Sequence, residues 1–263
     1  MMVAFFSIGT YYFLIDLPAE EKKEQEKEIA GKILPLTITN ISEFSLIKKD
    51  QTITLHQNAN NIWNLSQPLE AVGDNPEAKS FLSEIEALEK SRVVESDPKN
   101  LSQYGLDAPS FKIHIKFKEG KEETILFGDE SPMGGKIYLK LKSDPAVLLA
   151  TTSKTTFNKS VYQFRDKTIF NFSSGSITQI QIKRNEHPLD LVREKEEWKI
   201  SGKVQATADK DAVLAFLQMI QFSRVKEFVN EKPESLEAFG LKKPTATLTL
   251  KDENKKSYSI YFG

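Results

Sequence analysis

Tyr104-Gly105-Leu106-Asp107-Ala108-Pro109 is echoed by Phe239-Gly240-Leu241-Lys242-Lys243-Pro244, 135 residues further along the chain. The same separation holds without a gap from Trp63 to Gly263. Trp63 meets Trp198, Asp74 meets Asp209, Phe81 meets Phe216, Leu82 meets Leu217 and Ile85 meets Ile220. Gly105 meets Gly240, Pro109 meets Pro244, Phe127 meets Phe262 and Gly128 meets Gly263. A match at one fixed spacing, carried by large apolar residues, glycine and proline, is the signature of a repeated supersecondary unit.

Each stretch reads as the same string of elements. Ahead of the tryptophan stand short alternating runs, Phe44-Ser45-Leu46-Ile47 and Ile53-Thr54-Leu55, then Ile180-Gln181-Ile182 and Leu189-Asp190-Leu191. Period-two alternation predicts strands with one buried face. Trp63 and Trp198 fall in a third strand as core anchors. Behind them Asp74 or Asn75 is placed to cap a helix with Pro76 in its first turn, and Ala78, Phe81, Leu82, Ile85 and Leu88 recur at helical spacing. Asp209 opens the counterpart, with Val213, Phe216, Leu217 and Ile220 on its apolar face. The Tyr-Gly-Leu and Phe-Gly-Leu stretches predict a tight turn, where Gly105 and Gly240 supply a left-handed conformation and Pro109 and Pro244 block continuation. A hairpin follows in both, turning at Glu119-Gly120 and near Glu253-Asn254.

The expected fold is therefore α+β: two tandem copies of a β-β-β-α-turn-β-β module with antiparallel sheets, a helix covering each sheet. The first copy is expected over 36–175, the second over 176–263. Past Gly128 the first copy is expected to continue through strands around Ile137 to Leu141 and Ala146 to Ala150 and a helix capped by Ser153; the second lacks a counterpart to Asp129 through Phe172, so it reads as truncated.

Residues 1–17 are expected to form a membrane anchor. Met1 to Ile15 carry no charge and include Val3, Phe5, Phe6, Ile8, Phe13 and Leu14. A spanning helix needs about 20 apolar residues, so the run is short. It fits the trailing part of a spanning helix, the apolar core of a signal peptide, or a buried strand. A signal peptide should open with Lys or Arg and end in a small-residue cleavage site, and neither is present. Tyr11 and Tyr12 suit a membrane interface. The charged run from Glu20 to Glu28, within 18–35, reads as a solvated helix or stalk leaving that surface.

Composition narrows the chemistry. The chain has no cysteine, which removes disulfides, thiolate nucleophiles and iron–sulfur ligation. Its three histidines, His56, His114 and His187, stand far apart in sequence, so a histidine-built metal site is not expected. A net charge of -1, with Lys interleaved among Glu, gives no basic field for nucleic acid. No Gly-x-Ser-x-Gly, His-Glu-x-x-His or dinucleotide fingerprint occurs. No cofactor, metal site or catalytic residue is expected, and the chain does not read as an enzyme.

One charged motif could bind a ligand. In Phe164-Arg165-Asp166-Lys167, Arg165 could hold a carboxylate or phosphate through its guanidinium, with Asp166 orienting it and Lys167 beside it. The plainer alternative is that these residues pair locally and fix a junction. Gly128 to Gly135 lacks the spaced oxygens of a calcium loop and the Lys-Ser/Thr of a phosphate loop, and reads as a hairpin connection.

The Tyr-Gly-Leu-Asp-x-Pro turn at 104–109, its echo at 239–244, the Leu-Phe-Gly after the hairpin, Phe164-Arg165-Asp166-Lys167 and the apolar start followed by Leu17-Pro18-Ala19-Glu20-Glu21-Lys22 together resemble the bacterial family of domain of unknown function 4340. That resemblance spans nearly the whole chain. It implies a single-pass protein of the cell membrane with its β-rich part extracytoplasmic, in a family often encoded beside ABC transporter subunits of the gliding-motility type. No activity is established for the family, so it implies no catalytic residue. The functional expectation is a noncatalytic, membrane-anchored interaction or scaffold module of the bacterial envelope, which the resemblance implies to be an ABC transporter accessory. The alternative is an extracytoplasmic binding module for a small molecule or envelope polymer.

Overall fold

The protein is described from a computed structural model covering residues 30–184, 188–202 and 205–263. The anchor expected at 1–17, the stalk up to residue 29 and His187 lie outside the described residues. Among the described residues, no helix is long and apolar enough to cross a membrane. The chain divides into two compact units after Asp166. This division falls ahead of the 175/176 junction expected from sequence, because Lys167 and Thr168 already take backbone partners from the second unit, at Val225 and Arg224. Both units are α+β, built on antiparallel sheets with few helices.

The first unit is organised by alternation. Strands β1 (Ile41–Lys48), β2 (Thr52–Gln57), β3 (Trp63–Gln67) and β4 (Ala71–Val72) pair antiparallel in sequence order, and β1 then pairs with β6 (Phe111–Phe117). The register sets Phe44 against both Leu55 and Ile115, and Leu46 against Ile53 and Ile113. Alternate residues of paired strands share a face, so these six side chains form one apolar surface, and every one of them is fully buried. Helix α1 (Asn75–Glu86) lies on that surface through Ala78, Phe81, Leu82 and Ile85. Its first turn is capped as the sequence suggests: the Asp74 carboxylate accepts from the Glu77 N–H at 3.1 Å.

Rings fill the space between helix and sheet. Phe44 meets Trp63 edge-on at 5.1 Å between centroids and stacks on Phe81 at 5.3 Å, while Phe164 stands edge-on to both Phe44 and Phe81, at 5.7 and 5.2 Å. Each such pair stabilises by about 0.5–1.5 kcal/mol beyond the area it buries.

The sheet extends past the hairpin of β6 and β7 (Glu122–Glu130) into β8 (Ile137–Leu141), β9 (Val147–Ala150) and finally β5 (Lys90–Glu95), giving the order β4-β3-β2-β1-β6-β7-β8-β9-β5. Two strands here exceed the expected string of elements. β4 intervenes before the helix, and β5 follows it. β4 is too short for periodicity to show and exists because Asn64 and Leu65 offer a ladder to Val72 and Ala71. β5 carries Lys90 and Arg92 on a sheet edge, where charge guards against unwanted pairing.

The helix expected behind Ser153 is one turn, α2 (Lys154–Phe157), and Ser153 makes no side-chain cap: its Oγ engages Thr155 Oγ1 at 2.6 Å. The turn nonetheless buries Phe157. A second single turn, α3 (Val161–Phe164), is closed by a reciprocal capping box between Ser160 and Gln163 and buries Phe164.

The second unit has the sheet order β13-β12-β11-β10-β14-β15, from β10 (Ile177–Arg184), β11 (Leu189–Glu194), β12 (Glu197–Ser201), β13 (Ala206–Ala208), β14 (Ala246–Asp252) and β15 (Ser257–Phe262). Helix α4 (Lys210–Phe222) begins at Asp209, whose carboxylate accepts from the N–H groups of Asp211 and Ala212. Its core comprises Ile180, Leu191, Trp198, Val213, Leu217, Leu248 and Leu250 with Phe172 and Ile177. Registers agree with the first unit at the 135-residue offset. Leu65 pairs with Ala71 as Ile200 pairs with Ala206, and Ile113 pairs with Ile125 as Leu248 pairs with Ile260. Burial does not agree throughout: Phe81 and Ile85 are fully buried, whereas Phe216 and Ile220 are half-buried.

Candidate functional site

The motif Phe164-Arg165-Asp166-Lys167 is held by its backbone. The Phe164 carbonyl accepts from the Asp74 N–H at 2.8 Å, the Asp166 N–H donates to the Val72 carbonyl at 2.9 Å, and Arg165 bridges antiparallel to Gly73. Residues 164–166 thus lie as a short ribbon along 72–74, the segment that leads into α1. Gly73 is required there: its N–H donates to the Trp63 carbonyl at 3.1 Å, and a Cβ on it would stand 2.6 Å from that oxygen. Lys167 belongs to the second unit, where its carbonyl accepts from the Val225 N–H at 2.8 Å and the next residue, Thr168, bridges to Arg224. The three residues proposed from sequence as a ligand site are half-buried, with Arg165 and Asp166 in one unit and Lys167 in the other.

The repeat anchors occupy matched settings. Trp63 and Trp198 are buried in the two cores. Gly105 and Gly240 end one-turn helices, 102–104 and 237–239, at φ +64° and +69°, the left-handed conformation their sequence context predicts. Pro109 and Pro244 are half-buried just ahead of β6 and β14. The turn then docks on the end of the hairpin: a Cβ on Gly128 would collide with the Tyr104 carbonyl oxygen, and one on Gly263 with that of Phe239. Tyr-Gly-Leu and Leu-Phe-Gly are therefore two halves of one close backbone contact.

Sequence reasoning missed a polar cluster on the turn of the first unit. The Tyr104 hydroxyl donates to Glu95 Oε2 at 2.9 Å, and the Tyr104 and Tyr138 rings lie 5.1 Å apart. The hydrogen bond to Glu95, then desolvation and the nearby carboxylate charge, hold the Tyr104 phenol above its ordinary pKa. The second unit has Phe239 in this place, so the cluster is not shared. No local pattern marks it, since β5 supplies Glu95 and β8 supplies Tyr138.

A second set of contacts secures the single-turn helices. Lys48 Nζ donates to Asn158 Oδ1 and to the Lys159 carbonyl, both at 2.7 Å, and burial lowers its pKa against the opposing pull of Asp50. Lys159 in turn pairs with Glu77 at 2.7 Å, at the start of α1.

Other candidate groups have ordinary surroundings. His114 Nδ1 lies 3.0 Å from Thr124 Oγ1 on β7. The Gly128–Gly135 stretch is a hairpin connection, with the Ser131 N–H donating to the Lys136 carbonyl and Asp129 paired to Lys154 at 3.7 Å. Among the described residues, no group of three His, Cys, Asp or Glu is placed to hold a metal ion. A surface depression of about 480 Å³ is lined by Lys32, Leu36, Thr37, Ser83 and Glu86.

The family model described as domain of unknown function (DUF4340) matches the chain twice, over residues 63–206 and 198–263. The two matches begin on the equivalent tryptophans. No curated protein and no solved structure matches the chain.

Proposed function

The chain belongs to the domain of unknown function 4340 family, and on that premise we propose that it is a noncatalytic interaction module, anchored in the bacterial cell membrane by residues 1–17 with its β-rich part extracytoplasmic. In this reading the two units are tandem copies of one module. Their common strand order and the shared 135-residue offset in register support it.

The observation that carries the noncatalytic reading is the use made of the signature residues. Gly105 and Gly240 supply left-handed turns, Gly128 and Gly263 a close backbone contact, and Phe164 to Asp166 a backbone ribbon against 72–74. These are the tasks of a scaffold. The partner we propose is a subunit of an ABC transporter, which is what the family likeness implies. The apolar start supports the membrane placement, since Tyr11 and Tyr12 sit where aromatic residues favour an interface.

Pull-down of the full chain from solubilised membranes, with mass spectrometry of what accompanies it, tests the reading. Recovery from the membrane fraction with transporter subunits is expected. Recovery of the full chain from the cytosol without detergent would overturn the placement, and turnover of a substrate that survives in purified protein would overturn the noncatalytic role.

A further inference from the structure

We propose that the first unit binds a small zwitterion, a primary ammonium joined through a few bonds to a phosphate or carboxylate, in the depression between the end of α1 and residues 32–37. Two ties fix one wall of it. Just past α1 the Ile33 N–H donates to the Leu88 carbonyl at 2.9 Å, with Lys32 bridging antiparallel to Glu89; further on, the Asn40 carbonyl accepts from the Lys118 N–H at 2.7 Å. Between these ties Pro35, Leu36 and Thr37 pass the last turn of α1, whose Ser83, Glu86 and Ala87 stand at i, i+3 and i+4 and so share a face. The space bounded by the two walls is about 480 Å³, within the roughly 300–1,000 Å³ common for small-ligand sites.

The helix end is polarised in an unusual way. Peptide dipoles leave the C-terminal end of a helix negative, so Lys, Arg or His is the favoured residue there. α1 has no basic residue in its last turn and carries Glu84 and Glu86 in it. Glu86 is half-buried and has no ion pair and no hydrogen-bond donor among the described residues. Thr37 makes no capping bond with its hydroxyl, and Ser83 is engaged through its carbonyl, which accepts from the Ala87 N–H at 2.9 Å. A carboxylate, two hydroxyls and the negative end of a helix together suit an ammonium, which donates three hydrogen bonds and carries the missing charge. Lys32, 4.0 Å from Glu89 and with its side chain 21% exposed, lines the same depression and faces the ligand's anionic end. Leu36 supplies a buried apolar floor.

The second unit fills the same place from within. Ile38–Asn40 and Ser174–Ser176 are the one-turn helices that lead into β1 and β10, and Gln221 stands on α4 where Glu86 stands on α1. There Gln221 Oε1 accepts from the Ser174 N–H at 3.1 Å and joins the end of the helix to the segment beside it. Glu86 makes no such bond to Ile38. One unit closes the gap with a neutral amide; the other presents a carboxylate across an open space.

Isothermal titration of the full chain in a non-ionic detergent, with aminoethyl phosphate and with β-alanine, tests the site. Binding of at least one is expected, with ethanolamine and inorganic phosphate weaker by roughly tenfold or more, because each meets one end of the site only. Glu86→Gln, which copies the residue of the second unit, should weaken binding by roughly tenfold or more while the thermal midpoint holds or rises, since a carboxylate leaves the negative end of the helix. Lys32→Gln should weaken it similarly and decides the matter if Glu86→Gln does not fold. Glu84→Gln removes a neighbouring carboxylate that does not line the depression and should leave affinity unchanged. Dihexanoyl phosphatidylethanolamine that displaces the bound zwitterion would assign the group to a lipid headgroup, and failure to displace it to a free solute. Binding of neither zwitterion, or affinity indifferent to both Glu86→Gln and Lys32→Gln, would overturn the inference. The titration needs no transporter subunit, so its failure and the failure of that partnership are separate outcomes.

Discussion

Gly128 lies against the carbonyl oxygen of Tyr104 so closely that only a hydrogen fits between them. The obstacle is backbone, not the flexible end of a side chain, so it cannot swing aside. Gly128→Ala is expected to lower stability by roughly 1–3 kcal/mol or more, as overpacking does. Urea denaturation checks it, with Gly175→Ala as the control, since a Cβ at 175 meets nothing nearer than 3.9 Å.

Asp74 and Asp209 hold the helix starts by the same bond type in the two units. Asp74→Ala and Asp209→Ala should each cost about 1 kcal/mol. Asp209 accepts from the N–H groups of Asp211 and Ala212 and Asp74 from that of Glu77, so hydrogen exchange at those amides should rise in the respective variants.

Trp63 contributes volume and ring contact. Its Nε1 has no hydrogen-bond partner among the described residues, so little directional bonding is lost when the indole is replaced. Trp63→Ala should cost roughly 3–5 kcal/mol. Trp63→Phe keeps a ring beside Phe44 and should cost distinctly less, as the shift in thermal midpoint between the two variants will show.

The phenol of Tyr104 gives stability a pH dependence with a definite sign. Folding raises its pKa, so the folded chain releases this proton later than the unfolded chain, whose tyrosine titrates near pH 10. The stabilisation is fully present below that value and is lost as pH rises through the folded pKa. Glu95→Ala removes the acceptor that is the first cause of the shift, and the carboxylate charge with it. Tyrosine ring-carbon NMR should then find Tyr104 titrating earlier, and the alkaline loss of stability should flatten.

Where side chains alternate or recur at helical spacing, the fold was legible. The β6–β7 hairpin shows Phe111, Ile113 and Ile115 on one face with a Gly120 turn at φ +85°, and α1 shows its capping Asp74 and buried stripe. β4 and β5 were not legible for opposite reasons. β4 is too short to hold a period, and β5 is charged and takes its place from β9, far along the chain. Arg165, Asp166 and Lys167 attract attention in the sequence through their charges, whereas the backbone bonds that tie 164–166 to 72–74 and Lys167 to Val225 leave no mark there, because any residue except proline at the donor would supply them. Tyr104 and Glu95 illustrate the remaining difficulty, since only the assembled sheet and turn bring them within reach.

The placement of β5 beside β9 sets a timetable for synthesis. Fifty-one residues separate Glu95 from Val147, so at about 5–20 residues per second a growing polypeptide carries β5 for roughly 3–10 seconds before its mate has been made. Lys90 and Arg92 keep that waiting ribbon hydrated on the ribosome, and Phe164, close to the last residue of the unit, is the plug whose arrival completes the ring cluster over the sheet.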